Sequence, residues 1–169
     1  MRIDPQYHIL MTTRAVDPSD LATLLILSTA SAACAILWVR CHGRAARSVW
    51  TVALVAVSVP FFDLHAHTHW AKVGWIPFVT PPIKASDIAA NIVIYLPFGF
   101  LSRRRTNHVR RLLNVVAGAA TLSFAMETTQ LFSHSRFPST TDIICDVVGA
   151  AAGVALSRLI ECRRHAAGP

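Results

Sequence analysis

The chain has 169 residues, of which 53% are hydrophobic and only 15% charged, and its formal net charge is +7 at pH 7. Soluble globular domains carry roughly a quarter charged residues, so this composition excludes a disordered chain and argues against an ordinary soluble enzyme. Four cysteines are too few for a disulfide scaffold.

Apolar residues fall in five blocks separated by short charged segments, and a bilayer core about 30 Å thick takes roughly 20 helical residues. The first block, Leu21 to Val39, is uncharged and long enough, with scattered Ser and Thr in place of the polar stripe of a soluble helix. The second, Val49 to Phe62, is short and reaches bilayer length only by borrowing flanking residues or by kinking at Pro60. The third runs from Ile88 to Leu101 with Pro97 and Gly99 inside it. The fourth runs from Leu112 to Phe132 and carries Glu127 and Gln130 near its end. The fifth, Ile143 to Ile160, is rich in Ala and Gly. The pattern predicts an all-α, polytopic membrane helix bundle of about five transmembrane helices over residues 21–160. Segment 1–20 precedes it, and a tail, 161–169, follows it. About twenty mixed polar residues stand before the first block, which does not suit a secretory signal peptide.

Charge orients the blocks. Arg40, Arg44 and Arg47 separate blocks one and two. Arg103, Arg104, Arg105, Arg110 and Arg111 separate three and four, and Arg158, Arg163 and Arg164 close the chain. The alternate connections are poor in Arg and Lys, so the positive-inside rule predicts an extracytoplasmic N-terminus and a cytoplasmic C-terminus in a multi-pass cell-membrane protein. The same arrangement accounts for the basic net charge through topology and anionic headgroups, leaving no case for nucleic-acid binding.

With that topology the polar side chains collect on one side. Asp63, His65, His67 and His69 follow the second block, Asp87 and Asn91 open the third, and Glu127 and Gln130 close the fourth. Arg136 lies in the next loop, and Asp142 and Asp146 open the fifth. Asp87 and Asn91 are spaced i,i+4 and Glu127 and Gln130 i,i+3, so each pair shares a helix face. Asp142, Asp146, Gly149 and Gly153 form one stripe whose small residues suit close helix packing. Each residue also has a structural reading. Asp87 with Ser86, or Asp142 with Thr141, can cap a helix N-terminus. Glu127 stands where the helix dipole disfavours an anion, and an ion pair with Arg136 would relieve it. The run Asp63-x-His65-x-His67-x-His69 has ligand-type side chains at a spacing suited to an extended chain. With Trp70 and Trp75 beside it, we read it as interfacial, with no metal. The four cysteines are assigned no chemistry. No GxGxxG, P-loop, GxSxG or HExxH is present, so no cofactor is expected.

The polar residues also fall in a familiar order. Ile76-Pro77-Phe78 is followed by Asp87-x-x-x-Asn91, Leu96-Pro97-Phe98-Gly99-Phe100, Glu127-x-x-Gln130, Arg136, Ser139, Asp142, and then Gly149 and Gly153. Over residues 60–157 this resembles the VanZ-like family of small multi-pass bacterial membrane proteins, named for a member associated with teicoplanin resistance. The chain departs from the family where Asp146 replaces a frequent Asn and where Leu64 follows Asp63. The resemblance implies an envelope-linked membrane protein with a part in antibiotic resistance, and it lends no reaction. Three expectations follow. The first is an outer polar pocket binding a lipid-linked cell-wall or polysaccharide intermediate, or a glycopeptide, with Asp87, Asn91, Gln130 and Asp146 as binding residues. The second is an intramembrane transferase or hydrolase, with Glu127 or Asp142 as general base and Arg136 stabilising developing charge. The third is a structural or assembly protein whose polar residues only join helices.

Overall fold

Five α-helices coincide with the five apolar blocks, and most of them outrun the block that predicts them. In a computed structural model describing residues 18–39, 43–59, 63–79, 84–102 and 107–166, these are α1 (Pro18–Val39), α2 (Gly43–Ser58), α3 (Ala85–Phe100), α4 (His108–Gln130) and α5 (Thr140–Ala166). A single 3-10 turn, Trp70–Lys72, lies between α2 and α3. Among the described residues there are two isolated bridges, Leu64 with Ser133 and Gly74 with Ser139, and no strand. The fold is all-helical. Most of the N-terminal segment, the Arg103–Arg105 cluster, Cys41 and Pro60 lie outside the described residues.

The helices lengthen because arginine is a good helix former whose aliphatic stem lies along apolar surface. Charge was therefore a poor guide to helix ends. Arg44 and Arg47 fall inside α2, and the Arg47 guanidinium stands 4.7 Å from the centre of the Phe98 ring. Arg110 and Arg111 belong to α4, whose true N-cap is Asn107, its side chain accepting from the Val109 amide at 3.0 Å.

Arg111 is the larger surprise. The sequence places it among the arginines between the third and fourth blocks, and the structure buries it. Its Nε donates to Ser102 Oγ at 2.8 Å, its second guanidinium nitrogen donates to Ser157 Oγ at 2.6 Å, and Glu161 lies at 3.7 Å. This network ties the end of α3, the start of α4 and the end of α5 together. Because charged hydrogen bonds are worth about 1.5–3 kcal/mol, Arg111→Ala is expected to cost about 2–3 kcal/mol in thermal unfolding of the detergent-solubilised protein. An unchanged midpoint would show that the network contributes nothing.

The most extensive interhelix contact is α3 against α5, with α1 on α2 and α4 on α5 next. Trp50, Leu54, Tyr95, Phe98, Val115, Ala119, Ala150 and Val154 belong to one buried apolar cluster. The Trp50 indole donates to the Ile94 carbonyl at 2.9 Å, fastening α2 to α3. The α3–α5 approach depends on missing side chains. A Cβ at Gly99 would fall on the Ala150 carbonyl oxygen, one at Gly149 on that of Ile92, and one at Gly153 on that of Leu96.

Many large apolar side chains face outward from the bundle. Val52, Val93, Leu113, Phe124 and Leu159 are each more than 60% exposed, while Arg111, Ser123, Glu127, Gln130, Asp146 and Ser157 are at most 9% exposed. Among the described residues one helical stretch, Thr140–Arg163, is long and apolar enough to cross a membrane. Leu25–Cys34, Ala45–Ser58 and Ala85–Phe100 are shorter apolar stretches.

Candidate functional site

At one end of the bundle the C-terminal ends of α2 and α4 meet the N-terminal ends of α3 and α5. A cleft of about 920 Å³ opens there. All seven residues singled out in the sequence line it: Asp87, Asn91, Glu127, Gln130, Arg136, Asp142 and Asp146. Its remaining wall is largely apolar and runs along the helices through Leu27, Trp50, Ile94, Tyr95, Pro97 and Met126. On α3 the lining extends from Asp87 to Pro97, ten residues or about 15 Å of helix. The cavity thus has a polar mouth and an apolar groove reaching about half the thickness of a bilayer core.

Neither aspartate at a helix start acts as a cap. α3 begins after Lys84, whose side chain makes no capping bond, and among the described residues Asp87 accepts from the neighbouring Ser86 hydroxyl, at 3.1 Å. On α5 the capping group is Ser139, whose Oγ accepts from the Thr141 amide at 3.1 Å. A hydroxyl one residue before a helix is a legible N-cap signal, and Ser139 was the better candidate than Thr141. Thr141 is buried, and its Oγ1 accepts from the Phe78 amide at 2.9 Å. That bond holds Phe78 at a φ of 61°, a left-handed conformation rare for a bulky residue.

Glu127 is not ion-paired with Arg136. Its carboxylate accepts from the Ser139 amide at 2.6 Å, so the orphan N–H of a helix start serves the anion that the end of α4 disfavours. Among the described residues no salt bridge joins Arg136 to an acid. Its backbone amide donates to Ser133 Oγ at 3.2 Å, and the residue is exposed in the cleft wall. The guanidinium is nonetheless an electrostatic neighbour of both Glu127 and Asp142. Deeper in, Asp146 accepts from Ser123 Oγ of α4 at 2.6 Å. Gln130 reaches the Ser58 carbonyl of α2 at 3.5 Å. Tyr95, which no local pattern flags, lies beside Asp146 and Glu127. The site therefore combines acids held by neutral donors with one arginine whose fork is not spent on any of them.

The loop carrying Arg136 is stapled to the segment after α2. Asp63 Oδ2 accepts from Ser133 Oγ at 2.5 Å, from Ser135 Oγ at 2.6 Å and from the Ser135 amide at 2.8 Å. These hydroxyl and amide donors hold the Asp63 carboxyl well below the ordinary carboxylate range. Gly74 adds a second staple, donating to the Pro138 carbonyl at 2.8 Å and accepting from the Thr140 amide at 3.1 Å. Asp63→Ala is expected to speed amide exchange at Ser135 by about tenfold or more, as measured by hydrogen–deuterium exchange. Unchanged protection would mean the loop holds itself. Four histidines, His65, His67, His69 and His134, gather beside this staple. Desolvation, and then the neighbouring histidines and Lys72, push the His134 imidazole below its usual range. Only the first three stand together in sequence.

The fold and this site define a small all-helical protein with a polar-headed cleft between helix ends. A family model described as VanZ/LLP1 matches residues 32–161, far more than half of the chain. The chain belongs to the VanZ-like family, and the match begins inside α1, well before the stretch from residue 60 in which the resemblance was legible. Searches of curated proteins and of solved structures found no match.

Proposed function

We propose that this protein is a multi-pass membrane protein, N-terminus outside, whose cleft binds the phosphate-bearing head of a lipid-linked envelope intermediate. The observation that carries the reading is the make-up of the cleft: an uncommitted arginine and several acids at the mouth, continuous with an apolar groove. An arginine fork matches phosphate oxygens, the acids suit sugar hydroxyls or amines, and the groove suits the start of a polyprenyl chain. That pairing favours an amphiphile over a wholly polar glycopeptide. The many large apolar side chains exposed along the helices, with Arg111, Ser123, Glu127, Gln130, Asp146 and Ser157 turned inward, support several membrane-spanning helices, because a soluble helix keeps polar side chains on its exposed face. The stacked, exposed Trp70 and Trp75, 6.2 Å apart between ring centres, suit the headgroup level. Membership of the family supports a link to the cell envelope and to antibiotic resistance.

Trp50 lines the cleft, so its fluorescence can report occupancy. The full chain in nanodiscs, titrated with a polyprenyl phosphate, is expected to show a saturable change that plain phospholipid, free inorganic phosphate and glycopeptide do not reproduce. A response of equal size to ordinary phospholipid would sink the reading. The enzymatic alternative rests on the same cleft, with Glu127 or Asp142 as base and Arg136 facing the transferred group. Turnover of a lipid-linked substrate by the purified protein, lost in Glu127→Gln, would favour it.

A further inference from the structure

Beside the cleft, backbone pairing assembles a second group of side chains. The His65 amide donates to the Phe132 carbonyl at 2.8 Å, the His69 amide donates to the Leu131 carbonyl at 2.9 Å, and Leu64 bridges Ser133 antiparallel. These bonds lay the 63–69 segment against 131–135. Between those two bonds the chain bends at Ala66 and His67, and the bend gathers His65, His67 and His69, with ring centres 5.9 Å apart for His65 and His67 and 4.6 Å apart for His67 and His69. His134 enters among them from the facing segment, its ring centre 3.9 Å from that of His65, 5.2 Å from His67 and 4.4 Å from His69.

Two of the rings have their lone pairs set by hydrogen bonds. His69 Nδ1 lies 3.3 Å from the Leu131 carbonyl oxygen, which can only accept, so Nδ1 carries the proton and Nε2 is free to ligate. His65 Nε2 lies 3.1 Å from Asp63 Oδ1, a carboxylate oxygen, which leaves Nδ1 of His65 as the free nitrogen. A carbonyl or carboxylate behind an imidazole is the usual way metal-binding histidines are oriented. The ligating atoms of His67, His69 and His134 lie within 4.8 Å of one another, as do those of Asp63, His65 and His134. Tetrahedral zinc, with bonds of about 2.0–2.1 Å, needs nitrogens roughly 3.4 Å apart. Mostly exposed rings reach that spacing by small side-chain rotations.

We propose that His67, His69 and His134 bind a divalent transition-metal ion of the zinc class, with His65, braced by Asp63, as the fourth ligand. An all-imidazole set selects zinc, copper or nickel and not magnesium or calcium. His134 immediately precedes Ser135, Arg136 and Phe137, all part of the cleft wall, so the ion clamps the Arg136 loop onto the segment after α2. Lys72, bonded to the His134 carbonyl at 2.7 Å, is the nearby cation that the site must accommodate. The proposal is independent of the ligand of the cleft.

The test uses the full chain in detergent, purified on a tag without histidine, stripped with a chelator and titrated with zinc. The expected result is one tightly held zinc per chain, and with cobalt the absorption of a tetrahedral nitrogen site with no thiolate charge-transfer band. The His67→Asn/His69→Asn double variant is expected to weaken zinc binding by about 100-fold or more. Asp63→Asn, which touches no metal, is expected to weaken it by about tenfold. Zinc lost by the wild type on desalting, a cobalt spectrum showing thiolate, or equal affinity in the double variant would each overturn the site. The wild-type measurements decide the matter if the double variant does not accumulate.

Discussion

Gly149→Leu is expected to remove the protein from the membrane fraction. α3 and α5 approach so closely that their glycines face backbone on the other helix, not side chains. Even a methyl at Gly149 would stand far inside contact distance of the Ile92 carbonyl oxygen. One at Gly153 would meet the Leu96 carbonyl and come within 2.7 Å of the Phe100 amide nitrogen. Overfilling a core usually costs about 1–3 kcal/mol because side chains give way. Backbone cannot rotate aside, so α5 has to lift off α3, and the cost belongs at about 3 kcal/mol or more. Against a total stability of about 5–15 kcal/mol that is enough to send much of the protein to degradation. Gly118 is the control. A Cβ there would lie 3.7 Å from Phe98 Cζ, an ordinary contact, so Gly118→Ala is expected to accumulate normally. Wild-type abundance and an unchanged melting point for Gly149→Leu would refute the packing argument.

The second large effect concerns the cleft. Arg136→Ala is expected to lower affinity for a polyprenyl phosphate by about 10- to 100-fold, since a charged hydrogen bond is worth about 1.5–3 kcal/mol and 1.4 kcal/mol is about tenfold in affinity. Stability should hardly change, because Arg136 is exposed and makes no salt bridge among the described residues. Arg136→Lys keeps the charge but loses the fork, and is expected to recover only part of the affinity. Glu127→Gln and Asp142→Asn should also impair function. Cys34→Ala should not: its thiol donates to the Ala46 carbonyl at 3.0 Å between α1 and α2, and it is not part of the cleft wall. Equal losses in all these variants would mean that the polar residues matter only for folding. A large loss of affinity in Arg136→Ala with an unchanged melting point separates binding from structure.

Much of the molecule was legible in the chain. Five apolar blocks are a local property, and each became a helix because a run of fourteen to twenty-one residues of one character biases the backbone regardless of what lies elsewhere. The grouping of Asp87, Asn91, Glu127, Gln130, Arg136, Asp142 and Asp146 followed from the same local facts. Consecutive helices joined by short loops alternate in direction, which brings the end of α4 and the starts of α3 and α5 to one end of the bundle. Charged residues misled the placement of helix ends, because an arginine beside an apolar block can terminate it or simply continue it, as Arg47 does.

Tertiary structure decided what each polar group does. Glu127 takes the Ser139 amide and not Arg136, because the turn before α5 aims an unpaired backbone donor at it. Arg111 is buried because the ends of α3 and α5 present hydroxyls to it across helices, a match invisible in any one segment. His134 joins three histidines some 65 residues away only because backbone bonds lay one loop along the other. Spacing along the chain reports which side chains share a face, whereas the partner across that face depends on how helices and loops pack over long sequence separations.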